Sequence, residues 1–125
     1  MADMYIEFIR VMNLYCNKMP VYKGHKYIGR FSPEDGIELI KDMELIGIIF
    51  MGVEIWYPYY DWVAENYWDD FTVDSSIYDL PNASQISAEL CRKYILNEMP
   101  QNIKYVSFIF RIPLDWDWQK QVCNK

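Results

Sequence analysis

Residues Ile48 to Phe71 read IIFMGVEIWYPYYDWVAENYWDDF, and how this stretch divides decides the fold. Ile48 to Met51 are apolar on both faces, as in a central strand covered on each side. From Gly52 the pattern alternates, with Val53, Ile55 and Tyr57 on one face and Glu54 and Trp56 on the other. Pro58 ends regular pairing. Tyr59 to Asn66 is expected as the turn of a hairpin, and Tyr67 to Val73 as the strand that returns.

The same stretch is unusual in composition. Eight aromatics fall between Trp56 and Phe71, out of 22 in the chain. No Lys or Arg occurs between Lys41 and Arg92, an interval that holds ten acids. Its charge of −10 leaves +4 for the remainder, which together make the total of −6. A core needs some of these aromatics but not the carboxylates among them. Trp56, Tyr57, Trp68 and Phe71 are expected in the core, with polar ends bonded internally. Tyr59, Tyr60 and Trp62 belong to the turn and are expected to be exposed, beside Asp61, Glu65, Asp69 and Asp70.

Working outward, Ser32 is placed to cap a helix, with Pro33 in its first turn and Glu34 and Asp35 at the positive end of its dipole. Ile37, Ile40 and Met43 supply one face, and Gly47 suits a left-handed cap. Residues 3–16 read as an amphipathic helix capped by Asp3, with Tyr5, Phe8, Ile9 and Met12 at helical spacing. Between them, Lys18 to Arg30 carries Lys18, Lys23, Lys26 and Arg30 and no acid. Pro20, Gly24 and Gly29 make it a loop with at most a short edge strand, and it reads as a solvated connector that balances the acidic half. A third helix is expected from Ala83 to Met99, stopped by Pro100. A last strand is expected from Ile103 to Ile112, with Val106, Phe108, Phe110 and Ile112 on its apolar face. The whole predicts one α+β domain spanning residues 1–125: about three helices on a small, mostly antiparallel sheet of three to four strands.

Composition narrows the function. The acidic balance argues against nucleic acid and anionic membrane as partners. It favours a basic protein partner. Cys16, Cys91 and Cys123 are odd in number and far apart, which argues against a disulfide framework and for a reducing cytoplasm. The N-terminus lacks the basic and apolar regions of a secretory signal, and the longest apolar run, Leu45 to Val53, is too short to span a membrane.

Enzyme chemistry finds little support. His25 is the lone histidine, in a glycine-flanked loop, so histidine triads and zinc sites are nearly excluded. No phosphate-binding glycine loop, nucleophile elbow or metalloprotease motif occurs. Glu54 with Asp61, Asp69 and Asp70 beside Trp56 has the composition of a glycosidase site, but a chain of this length is short for its cleft. Exposed Trp and Tyr also suit a sugar-binding surface, and the acids suit a mimic of nucleic-acid phosphates. Protein recognition fits the mixture best, because Trp and Tyr concentrate interface energy and carboxylates steer a basic partner.

The central stretch resembles the immunity protein 40 family, small cytoplasmic immunity proteins of bacterial polymorphic toxin and contact-dependent inhibition systems. The resemblance is carried by the helix Ser32–Leu45, the strand ending Gly52-Val53-Glu54-Ile55-Trp56, and Trp68 followed by Asp69. Tyr94-Ile95 in a later helix and the strand Tyr105 to Ile112 continue it. Val53 stands where the family pattern has a second glycine. The resemblance covers Ser32 to Ile112 and implies an inhibitor, not an enzyme, with no cofactor and no metal. Its partner would be a cognate toxin with a basic domain of the nuclease class, occluded at its active site or substrate path. Partner contacts would fall on Tyr59, Tyr60, Asp61, Trp62, Glu65, Asp69 and Asp70.

Overall fold

The computed structural model describes residues 3–22, 24–56 and 67–123, with Tyr22, Tyr67, Trp68 and Asp69 described in the backbone only. Helix α1 is Met4–Asn13, and Asp3 caps it by accepting from the Tyr5 amide at 2.9 Å. Two short strands follow, β1 (Val21–Tyr22) and β2 (His25–Lys26), paired antiparallel. Helix α2 is Pro33–Leu45; Ser32 Oγ accepts from the Asp35 amide at 3.2 Å, and Gly47 follows in the left-handed region at φ +85°. Strand β3 is Ile49–Trp56 and strand β4 is Tyr67–Thr72. Helix α3 is Ala83–Lys93 and runs on into a π turn at Tyr94–Glu98. Strand β5 is Tyr105–Arg111.

The main sheet has the order β4-β3-β5, and both pairings are antiparallel. The quoted stretch therefore does supply the central strand. Its alternation has an interruption that the sequence did not announce. A bulge between Phe50 and Gly52 shifts the register against β5, so that Phe50, Val53 and Ile55 all turn to the same face. All three are fully buried. Ser87 on α3 accepts from the Phe50 amide at 3.0 Å, which satisfies a donor at the bulge. Gly52 is needed where β4 comes closest, since a Cβ there would lie 2.3 Å from the Phe71 carbonyl oxygen.

The three helices pack on this one face. Phe8 of α1 meets Phe110 edge-on at 5.1 Å. Helix α2 crosses so near β5 that a methyl group on Gly36 would sit 2.7 Å from Val106 Cγ2. Tyr94, after α3, stacks on Phe71 at 4.8 Å. Leu39, Ile40 and Met43 from α2 and Val11 and Met12 from α1 fill the space between. No helix among the described residues is long and apolar enough to cross a membrane.

One expectation is corrected here. Cys16 and Cys123 form a disulfide across 107 positions of sequence, with their Cα atoms 5.4 Å apart. Packing of the C-terminal tail brings them together: Trp116 lies 5.0 Å from Tyr5 and Trp118 lies 5.4 Å from Phe8, both on α1. Cysteine spacing carries no trace of that contact. Cys91 remains a free thiol, buried in α3.

Candidate functional site

The face of the sheet away from the helices is open among the described residues. Thr72 and Asp70 of β4 and Ile109 of β5 are exposed on it, and Glu54, Trp56 and Tyr105 are half-buried. Register places Glu54 between Asp70 on one side and Ser107 on the other. Trp56 is thus corrected from core to open face. Its ring nitrogen donates to Ser107 Oγ at 3.1 Å, and Ser107 donates in turn to Glu54 Oε1 at 3.2 Å.

The edge of this face holds a cleft of about 390 Å³ whose walls include Tyr27, Arg30, Glu54, Trp56, Ser107 and Trp118. Its geometry starts at Phe31. The Phe31 amide donates to the Val106 carbonyl at 2.8 Å and its carbonyl accepts from the Val106 amide at 2.7 Å, which ties this segment along the outer edge of β5. Adjacent residues of an extended chain point to opposite faces. Phe31 therefore enters the core, where it is 1% exposed, and Arg30 turns to the open face.

There the Arg30 guanidinium lies over two rings, 3.5 Å from the Trp56 centroid and 4.3 Å from that of Tyr27. Only 8% of the residue remains exposed. Burial lowers its pKa, opposed by Tyr27 and Glu54, but a guanidinium starts high enough to stay charged. The basic loop is thus not wholly a solvated connector. Lys18 behaves as expected of one, pairing with Asp35 at 3.5 Å, and Lys26 donates to the Cys16 carbonyl at 2.6 Å. Arg30 does neither, and Gly24, Gly29 and the surrounding charge hid its burial. The signal that was available is Arg30 directly before an aromatic in an acid-free segment that also holds Tyr27.

Of the residues expected to meet a partner, Tyr59, Tyr60, Asp61, Trp62 and Glu65 lie outside the described residues. Asp69 pairs in register with Ile55 and is described in the backbone only. Asp70 is exposed on the open face. His25 is exposed on β2, away from the core. The Cys91 thiol is pushed up to about 12 by burial, which makes it a poor nucleophile. Among the described residues no three His, Cys, Asp or Glu side chains are grouped to hold a metal. Comparison of the chain with family models, with curated proteins and with solved structures found no match.

Proposed function

We propose that this chain is an immunity-type inhibitor that binds a cognate bacterial toxin domain and occludes its active site or substrate path. The observation that supports this reading is the open sheet face. Carboxylates Glu54 and Asp70 sit directly opposite each other there beside Trp56, and the chain leads from Trp56 straight into the acidic, aromatic residues 57–66. A surface with aromatic anchors and one sign of charge suits a basic partner, and nuclease domains with basic clefts have that charge. Asp61, Glu65, Asp69 and Asp70 would pair with its Lys and Arg, and Tyr59, Tyr60 and Trp62 would supply apolar contact. The cytoplasm is the compartment this reading calls for. The Cys16–Cys123 bridge fits an oxidising compartment better, so the binding assay includes a reductant.

The test is the affinity for the product of the neighbouring upstream gene, measured at low and high salt. The expected result is tight binding that weakens with salt. The double variant Asp61→Lys with Asp70→Lys is expected to lose about 2–5 kcal/mol of binding. Absence of binding, or an unchanged affinity in the double variant, would overturn the proposal. A general mimic of nucleic-acid phosphates would instead inhibit several unrelated DNA-binding proteins.

A further inference from the structure

The Arg30 guanidinium packs against two rings, those of Trp56 and Tyr27. Arginine carries five N–H donors, all in the plane of the group, and a cation–ring contact supplies none of them with an oxygen acceptor. Among the described residues no oxygen accepts a hydrogen bond from the Arg30 side chain and no carboxylate lies within ion-pair distance of it. Its partners are the two rings and the more distant charge of Glu54, whose Oε1 is taken up by Ser107. A cation that is 8% exposed, packed against two rings and lining a cleft, is costly to leave without an acceptor.

We propose that this cleft binds a monocarboxylate with a flat apolar body, its two oxygens taken by the edge of Arg30. The planar fork matches a carboxylate at two points. Glu54 and the −6 charge of the chain select against a dianion such as a phosphate monoester. Trp56, Trp118 and Ile28 provide apolar walls for the body, and about 390 Å³ suits a ligand of amino-acid size. The ligand is either a free carboxylic acid or the C-terminal residue of a protein, and the site stands whether or not the toxin reading holds.

Phenylacetate is the probe, titrated into the full chain with the Arg30 side-chain N–H and Trp56 indole N–H signals followed by NMR. Saturable shifts of both are expected. Phenylacetamide should shift neither, and phenyl phosphate should bind more weakly. Arg30→Lys keeps the charge but loses the fork, and should weaken binding about tenfold. Glu54→Gln removes the opposing charge and should tighten binding, a gain that misfolding cannot produce. The proposal is overturned if phenylacetamide binds as well as phenylacetate or if phenylacetate shifts neither signal. It is equally overturned if Arg30→Lys binds unchanged or if Glu54→Gln does not tighten. Glycyl-glycyl-phenylalanine separates the sources: affinity above that of phenylacetate assigns a protein C-terminus, and equal or lower affinity assigns a free acid, with the site supported in both cases.

Discussion

Val53 and Glu54 are neighbours in the chain and lie in different surroundings. Val53 is wholly buried beneath the helices, and Glu54 faces the other way, half-buried, between Asp70 and Ser107. The covered face is held by close packing of apolar side chains, in which every methylene counts. The open face carries polar and cation–ring contacts instead, among them the packing of Arg30 on Trp56 and the short chain from Trp56 through Ser107 to Glu54. The difference teaches that one strand can carry close apolar packing on one side and a polar, partly exposed surface on the other.

The sharpest way to break this division is at its most buried point. Phe50 touches Phe108 and Phe110, each at 5.6 Å between centroids, and is completely buried. Phe50→Ala is expected to cost about 3–5 kcal/mol in urea unfolding, enough to leave much of the chain unfolded. A smaller loss would mean that the helix-covered face carries less of the fold than its packing implies.

The disulfide gives the next largest effect. It closes a long loop and pins the tail to the end of α1 on the covered side. Cys16→Ser with Cys123→Ser is expected to cost about 2–4 kcal/mol against the oxidised chain. Against the wild type in reductant the same variant should show little difference. If the two oxidised proteins melt together, the bridge contributes nothing and the aromatic contacts of Trp116 and Trp118 hold the tail unaided.

How much of this could be read beforehand depended on whether the signal was local. Caps are local, so Ser32 and Gly47 marked both ends of α2, and Asp3 marked the start of α1. The alternation through Gly52 to Trp56 was also local, and it put Trp56 on the side of Glu54. The abundance of aromatics argued instead for core, and the alternation prevailed. The bulge at Met51 was invisible, because an all-apolar run has no phase to lose. The disulfide and the burial of Arg30 depend on contacts made only when distant segments meet. The acidic segment from Tyr59 to Glu65 was read from composition, since a turn offers no alternation to follow.

The most direct test places one residue type on both sides of the strand. Threonine suits a strand well, so Val53→Thr and Glu54→Thr differ mainly in the face they alter. In urea unfolding, Val53→Thr is expected to lose about 1–3 kcal/mol by burying a hydroxyl among apolar groups. Glu54→Thr gives up the hydrogen bond from Ser107 and is expected to lose less, about 0.5–1.5 kcal/mol. Equal losses at the two positions would contradict the account, since the open face would then be carrying the fold as much as the covered one.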